Sequence, residues 1–223
     1  MVDLNEKMIE LSPSLKTIYS SIKFGSLIIH NVQNGKKSKV LEEQKRNLER
    51  MIQQNSMEPN QDKLIQNYNV FFNRWGKTYP IEFQIKTIKS GGKFPQVSVL
   101  VDCMFLAELQ NHILTSGHDL DLIHGKLVFD ITKGDEQYLK LNGKEQELKK
   151  DDIILKDEKG ILASVLYGPA RRTSIIPETK NALFFAWCPY GMDKELIVNH
   201  LNKILQNLIL VFGSLSSDLN IHS

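Results

Sequence analysis

Cysteine is scarce in this sequence of 223 residues, which contains only Cys103 and Cys188. The two residues lie far apart, form no Cys-x-x-Cys pair and have no histidine at the spacing of metal ligands. Neither a zinc site nor a disulfide framework is therefore indicated. We expect no metal and no cofactor, and the cysteine usage fits a reducing cytoplasm.

Long apolar runs and a strong charge imbalance are also missing. No segment approaches the roughly 18 apolar residues of a membrane span, and the N-terminus lacks a basic start followed by an apolar run. The net charge of +2 permits nucleic-acid binding without requiring it. Any RNA contact must therefore come from local clusters of positively charged side chains. With 41% hydrophobic and 24% charged residues, the chain is expected to be a soluble, cytoplasmic globular protein with no membrane contact.

Motifs of nucleophilic catalysis are not found. There is no Gly-x-Ser-x-Gly turn, and neither cysteine has a histidine nearby in the sequence. Binding roles can therefore be assigned more readily than catalytic ones.

The first half of the chain predicts mainly helices. A strand over residues 22–32 is followed by a charged helix over 40–52, in which apolar residues recur at helical spacing. Aromatic residues between Leu64 and Trp75 form one stripe of a second helix that Gly76 ends, and we interpret this stripe as core. Two further helices are expected, one beginning at Tyr79-Pro80 and one from Val97 to Leu109.

The second half predicts strands and a last helix. Short apolar runs separated by turn residues cover 127–131, 138–141, 152–155, 161–167 and 182–187. Asn142-Gly143 indicates a hairpin whose two central residues both need positive φ. A helix follows from Met192 to about Phe212. Helices before strands indicate an α+β fold, with an N-terminal tail (1–14), a domain with a helical extension (15–212) and a loose C-terminal tail (213–223).

Residues 164–181 are the most informative segment. A buried strand leads into a turn in which Gly168 lets another backbone approach, and Pro169 fixes φ and removes a donor. Arg171 and Arg172 then present planar guanidinium groups that suit phosphate or carboxylate. An anion-binding loop is one interpretation, and a solvated basic turn is the other.

The same segment provides the chemistry that holds single-stranded RNA ends, which are bound through phosphate contacts and stacking of splayed bases. Thr173 and Asn181 could donate or accept hydrogen bonds with a ribose or an amino-acid moiety. Four residues supply charge or a stacking surface: Tyr167, Arg171, Arg172 and Lys180.

Acidic residues and a histidine elsewhere are further candidates. Asp102 lies in an apolar helix, where a carboxylate must be hydrogen-bonded or paired with a cation, and a structural and a pocket role remain open. Asp119 and Asp121 precede a turn, so that they either cap it or anchor the ammonium group of a substrate. His118 could bind or position a water molecule. We expect this turn and the arginine pair to converge on one site.

Three segments of the sequence form a recognisable set. They are Ser90-Gly91-Gly92-Lys93-Phe94-Pro95 running into Leu100-Val101-Asp102, then Gly117-His118-Asp119-Leu120-Asp121 with Gly125, then Thr179-Lys180-Asn181-Ala182-Leu183-Phe184. Together they resemble the B3/B4 domain, the tRNA-binding and editing domain of the phenylalanyl-tRNA synthetase β chain, which also occurs as freestanding proteins. Gly25 to Val32 and Arg74 to Pro80 resemble the extension of the freestanding members. The resemblance covers roughly residues 15–212.

This resemblance implies a three-layer α+β fold containing a β-sandwich of unusual topology. It also implies a cleft in which a wrongly attached amino acid is hydrolysed from tRNA, with a ribose hydroxyl of the substrate assisting the water. Backbone N–H groups around Gly168 could stabilise the oxyanion. The expected substrate-binding residues are Asp102, Asp119, Asp121, Tyr167, Gly168, Arg171, Arg172, Thr173, Lys180 and Asn181.

The sequence departs from the family pattern at three places. Phe184 and Phe185 stand where the synthetase has the acid that recognises the hydroxyl of mischarged tyrosine. The synthetase's histidine aligns with Ser116 or, with a shift, His118, which makes these two the catalytic candidates. Phe105 replaces the asparagine that usually follows Val-Asp. These departures argue against simple tyrosine editing.

Three functions follow from these observations. The leading one is a deacylase that clears misacylated tRNA in trans. The alternatives are a non-catalytic module that binds RNA or an aminoacyl-adenosine, and a protein-interaction scaffold that retains only the fold.

Overall fold

The computed structural model describes residues 9–54, 61–188 and 192–223, and within these ranges the chain forms helices, strands and two short 3₁₀ turns. The helices are α1 (Pro13–Ile18), α2 (Lys39–Gln53), α3 (Gln61–Asn73), α4 (Pro80–Lys89), α5 (Val99–Asn111) and α6 (Lys194–Phe212). The strands are β1 (Ile9–Leu11), β2 (Lys23–His30), β3 (Thr115–Asp119), β4 (Leu127–Ile131), β5 (Gln137–Leu139), β6 (Glu145–Glu147), β7 (Ile153–Asp157), β8 (Gly160–Ser164), β9 (Gly168–Pro169), β10 (Ala182–Cys188) and β11 (Ser216–His222).

The strands form two main sheets and one separate hairpin. One sheet has the order β1-β4-β7-β8-β9, the other has the order β11-β2-β10-β3, and β5 pairs with β6. β1 runs parallel to β4, whereas the other neighbouring strands are antiparallel. The four strands β2, β3, β10 and β11 come from distant parts of the sequence. The four-stranded sheet therefore brings N-terminal and C-terminal parts of the chain together.

The four-stranded sheet is the middle of three layers, because its two faces pack against different elements. Gly25 of β2 faces α6, where a Cβ atom would meet Ile197 and Leu201. Side chains alternate along a strand, so that Phe24 points to the opposite face. It stacks on Phe129 of the five-stranded sheet with ring centroids 3.7 Å apart. The α+β fold is thus confirmed, with helices, one sheet and the second sheet as successive layers.

A buried ion pair connects two helices of the helical layer. Asp102 of α5 is 1% exposed and Lys45 of α2 is 3% exposed, and their charged groups are in contact. Asp102 also accepts a hydrogen bond from the backbone N–H of Val97 at 3.0 Å, and the Lys45 ammonium lies 5.3 Å from the ring centroid of Phe94. The carboxylate in the apolar helix therefore has the cation that its burial requires.

Most helices and strands agree with the sequence interpretation. The predicted helices correspond to α2–α6, and the aromatic stripe of α3 is core, since Tyr68, Phe71 and Phe72 are at most 1% exposed. The Asn142-Gly143 hairpin is confirmed as β5–β6, but only Gly143 of the two has positive φ. Lys140 accepts a hydrogen bond from the Gly143 N–H at 2.8 Å, so that a longer loop replaces the two-residue turn.

The two predicted tails are wrong wherever the structure describes them. Residues 1–8 lie outside the described ranges, but β1 pairs with β4 and α1 follows it. At the other end β11 pairs with β2 over seven residues, and Ser26 shares a hydrogen bond of 2.8 Å with the ring of His222. Leu219 and Ile221 pack against the core, and this contact stabilises a strand whose sequence is largely polar.

Removing the ammonium of Lys45 tests the buried pair. We expect Lys45→Met to lower the free energy of unfolding by about 3–5 kcal/mol, because it leaves Asp102 charged and unpaired in the core. Urea denaturation measures this change. Lys39→Met, at an exposed position of the same helix, is the matched control.

The double variant Lys45→Met with Asp102→Asn should recover part of the loss, since asparagine keeps an acceptor for the Val97 N–H without a charge. A single variant as stable as the Lys39→Met control would contradict a stabilising pair.

Candidate functional site

Two turns of the predicted site lie against each other. A 3₁₀ turn, Leu120–Leu122, follows β3, and a second one, Arg171–Thr173, follows β9, and the two are in contact. His118 of β3, two residues before the first turn, forms a hydrogen bond of 3.0 Å with Thr173 of the second turn. The aspartate-bearing turn and the turn of the arginine pair therefore lie side by side, whereas a shared binding site remains a prediction.

His118 and Ser116 belong to a buried hydrogen-bond network between the sheets. Both point from β3 toward the five-stranded sheet, and they are 0% and 4% exposed. The His118 ring bonds to Ser116 through Nε2 and to Thr173 through Nδ1, each at 3.0 Å, while the indole N–H of Trp187 donates to Ser116 at 3.0 Å. Either tautomer of the imidazole satisfies both ring nitrogens, because each hydroxyl can donate or accept.

The electrostatics of His118 favour the neutral ring. Burial, assisted by the positive charge of Arg172, lowers its pKa from 6.5 to about 3. A neutral and fully enclosed imidazole keeps β3 and the Arg171–Thr173 turn in place. This burial gives no support to a catalytic role of His118 or Ser116, which remains a prediction.

Asp119 and Asp121 connect the first turn to the Thr179–Asn181 segment. The Asp119 carboxylate accepts from the N–H of Asp121 at 3.0 Å and from the hydroxyl of Thr179 at 2.6 Å. The Asn181 amide donates to both oxygens of Asp121 at 3.0 Å, and its oxygen accepts from the N–H of Asn31. Of the two readings, the capping role of Asp119 is thus observed. Asp121 is exposed, as is Lys180.

The two arginines have different environments. The guanidinium of Arg172 donates to the carbonyl oxygens of Ile161 and Gly160 and forms an ion pair of 2.5 Å with Asp157. These bonds use Nε and Nη2 of the guanidinium, so that the geometry supports a structural role of Arg172 and leaves its phosphate contact a prediction. Arg171 is exposed beside the Gly143 turn, where its guanidinium is accessible.

The loop around Gly168 has few backbone donors left for a ligand. Gly168 has a φ of 83°, and its carbonyl accepts from the Tyr138 hydroxyl at 2.6 Å. The N–H of Tyr167 donates to Ser164, and the N–H of Ala170 donates to the carbonyl of Leu162. Gly168 pairs with Ser164 in the β8–β9 ladder, which occupies the Gly168 N–H, and proline has no N–H. This geometry gives no support to the oxyanion role of the loop, which remains a prediction.

Asp102 is not part of this arrangement. Its carboxylate lies in the helical layer, in the pair with Lys45, and the N–H of Val97 occupies its other oxygen. The structural role left open for Asp102 is thus observed, and this geometry gives no support to the prediction that Asp102 binds substrate.

Sequence reasoning missed a buried carboxyl close to the loop. Asp152 is 0% exposed and accepts from the hydroxyl of Ser164 at 2.5 Å, and burial raises its pKa from 3.8 to about 7. It also missed Asp157 as the partner of Arg172, and Lys77, whose ammonium lies 4.1 Å from the ring centroid of Tyr167. No local motif identifies these residues, because each partner is distant in the sequence.

Two cavities lined by described residues lie away from these turns. One of about 420 Å³ is lined mainly by α6, and another of about 400 Å³ lies along α2. Neither includes a candidate residue. Within the described ranges, no helix has the length and apolar character needed to cross a membrane, and no group of three or more potential metal ligands occurs.

Comparison with known proteins identifies the class of domain. The sequence profile of the B3/4 domain matches residues 80–208, which is more than half of the chain. The chain therefore belongs to the B3/4 domain family, and the matched range includes both 3₁₀ turns, β3 and β10.

Individual relatives agree with this assignment over shorter segments. The chain is 34% identical over 77 residues to the phenylalanine–tRNA ligase beta subunit of Mycoplasma pneumoniae and 36% identical over 67 residues to that of Mycoplasma genitalium. These matches cover 34% and 30% of this chain, but only 9% and 8% of the two relatives.

A solved structure is also similar to this chain. The N-terminal fragment of the phenylalanyl-tRNA synthetase beta subunit of Pyrococcus horikoshii matches with a TM-score of 0.49 and 12% sequence identity. The match covers 96% of this chain and 51% of that fragment.

Titration of His118 should be visible in the stability of the protein. At neutral pH we expect His118→Gln to be less stable, because buried hydroxyls lose their partner. Below pH 6.5 the unfolded chain takes up a proton that the folded chain accepts only near pH 3. The wild type therefore loses up to about 1.4 kcal/mol per pH unit from this group as the pH falls, and the variant does not.

Urea denaturation at several pH values measures the gap between the two proteins, which should narrow as the pH falls. His124→Gln, at a partly exposed histidine, is the control. A gap that stays constant from neutral to acidic pH would contradict a neutral His118.

Alanine substitutions of the two arginines should change the free energy of unfolding by different amounts. We expect Arg172→Ala to lower the free energy of unfolding by about 2–3 kcal/mol, since it leaves the buried Asp157 carboxylate without its cation. Arg171→Ala should change it by less than about 0.5 kcal/mol, as is usual for an exposed side chain. Equal effects of the two substitutions would be inconsistent with the described contacts.

Proposed function

We propose that this protein binds the aminoacylated end of tRNA and hydrolyses the ester of misacylated tRNA in trans. The proposal is carried by one observation, the contact between the Leu120–Leu122 and Arg171–Thr173 turns within a B3/4 domain. It is supported by the names of the two bacterial relatives, both beta subunits of phenylalanine–tRNA ligase.

Binding of the RNA end uses the accessible groups of the site. Arg171 and Lys180 are exposed cations next to the joined turns, and they would contact phosphate oxygens. Asn181 and Asp121 form an exposed polar pair that can hydrogen-bond a ribose or the ammonium group of the amino acid. Thr173 is fully buried and acts by fixing the turn that carries Arg171.

Hydrolysis of the ester requires no protein nucleophile. A water molecule adds to the acyl carbon, the bond from this carbon to the ribose oxygen breaks, and the ribose oxygen takes up a proton. The products are a free amino acid and a tRNA with both terminal hydroxyls. The neighbouring ribose hydroxyl of the substrate would assist the water.

The residues at the family's tyrosine-selective position favour a substrate other than tyrosine. Phe184 and Phe185 are both 0% exposed, and Phe185 packs edge-on against Phe129 with ring centroids 5.1 Å apart. Neither side chain has a polar atom for a phenolic hydroxyl. We therefore expect tyrosyl esters to be poor substrates.

Non-catalytic binding is the second candidate function. The observation that favours it is the enclosure of Ser116 and His118, because a general base or acid must reach the substrate or a water molecule. On this alternative the same surface recognises the aminoacylated end and leaves the ester intact.

A panel of misacylated tRNAs distinguishes the two functions. We expect at least one ester to be hydrolysed about 10²-fold faster than in buffer, a typical contribution of positioned proton transfer, and tyrosyl-tRNA to be no better than the others. Loss of the acyl group is followed over time with a radiolabelled amino acid. Lys180→Ala should raise the substrate concentration that gives the half-maximal rate. Lys194→Ala, at an exposed helix position, is the control.

Saturable binding without hydrolysis of any ester would support the binding module and contradict the deacylase. Absence of both would contradict RNA recognition at this site altogether.

A further inference from the structure

A cluster of lysines surrounds Tyr167 on the surface next to the candidate site. The ammonium of Lys77 lies 4.1 Å from the ring centroid of Tyr167, which is within the range of a cation–π interaction. Lys77 follows the Gly76 turn at the end of α3, and Trp75 fixes this turn by donating its indole N–H to the Lys150 carbonyl at 3.1 Å. The position of Lys77 is therefore set by the fold.

Two further lysines share this environment. Burial lowers the pKa of Lys77, and the neighbouring charges of Lys140 and Lys149 lower it further. Within the described ranges, none of the three forms an ion pair with a carboxylate. Lys140 and Lys149 are therefore close enough to Lys77 for their positive charges to act on it.

The carboxylates of the nearby hairpin are directed to its other face. Tyr138 faces the core, and Lys140, two residues later, lies on the same face. Glu145 and Glu147 pair with Leu139 and Gln137, so that they lie on the opposite, exposed face. The hairpin therefore presents its positive charge toward Tyr167 and its negative charge away from it.

The one carboxyl that acts on Lys77 offers little compensation. Asp152 is fully buried, receives hydrogen bonds from Ser164 and from the N–H of Leu166, and has a pKa of about 7. A single carboxyl cannot offset three ammonium groups, so that the lysine cluster keeps a net positive charge.

The cluster is continuous with the candidate site through the backbone. Lys140 pairs with Ala170, the residue directly before Arg171, and the guanidinium of Arg171 lies beside Gly143 of the same hairpin. One surface therefore extends from Lys149 and Lys77 over Tyr167 and Lys140 to Arg171.

We propose that Lys77, Lys140 and Lys149 form a binding site for the phosphodiester backbone of single-stranded RNA. For the identity of its ligand this proposal rests on the proposed function, since the strand that ends at the joined turns must leave along a neighbouring surface. Tyr167 has a positioning role, because its ring holds the Lys77 ammonium among the other two cations. A polyanion such as a phosphodiester backbone can contact all three ammonium groups at once and offset their mutual repulsion. A single carboxylate cannot do so.

Salt-dependent binding of an unacylated RNA tests this surface. The probe is a short fluorescent single-stranded RNA ending in CCA, and its affinity is measured by fluorescence anisotropy at several salt concentrations. With Lys77, Lys140 and Lys149 all replaced by alanine, we expect the affinity to fall by about tenfold or more. The slope of log affinity against log salt should become shallower by about two units, at about 0.7 per lost phosphate contact.

The control triple variant replaces Lys63, Lys89 and Lys194, three exposed lysines at other positions, and removes the same net charge. It should keep the slope of the wild type. Tyr167→Phe should keep the affinity because it keeps the ring, whereas Tyr167→Leu should lower it.

Equal slopes of the two triple variants would overturn the proposal, as would a wild type that does not bind the probe. Failure of the proposed function looks different. In that case no aminoacyl ester is hydrolysed, and aminoacylated tRNA binds no more tightly than free tRNA. The unacylated RNA still binds, and its affinity still depends on the three lysines.

Discussion

Aromatic packing between the two sheets is the constraint on which the rest of the structure depends. Phe129 of the five-stranded sheet contacts Phe24, Phe185 and Trp187 of the four-stranded sheet, with ring centroids between 3.7 and 5.6 Å apart. Such pairs contribute about 0.5–1.5 kcal/mol each beyond their buried area. They fix the distance between the sheets, so that β3 and the Arg171–Thr173 turn approach closely enough for His118 and Thr173 to bond.

This packing explains how the polar residues of the site divide their functions. Those that point between the sheets, such as Ser116 and His118, are enclosed and have their hydrogen bonds satisfied within the protein. Those at the outer rim, such as Arg171 and Lys180, remain exposed. The enclosed groups hold the turns in place, and the exposed groups are available to a ligand.

The sequence could predict what local periodicity and composition encode. The helices, most strands and the core position of the α3 aromatics follow from apolar spacing, and the resemblance over three short segments gave the family that the profile match confirms. Pairings between distant segments could not be predicted this way. Lys45 lies 57 positions from Asp102, and the partner of Arg172 is a strand residue 15 positions earlier, so that neither pairing has a local signal. The polar sequence of β11 resembles a tail because only one side of this edge strand packs on the core.

We propose that the joined turns and the adjoining Gly168 loop recognise an acylated nucleotide end. The most direct measurement is a titration of the labelled protein with a non-hydrolysable aminoacyl-adenosine analogue, followed by backbone amide chemical shifts. Shift changes centred on residues 117–122 and 167–181 are expected. Changes confined to the cavities along α2 or α6, with the two turns unaffected, would contradict recognition at the turns.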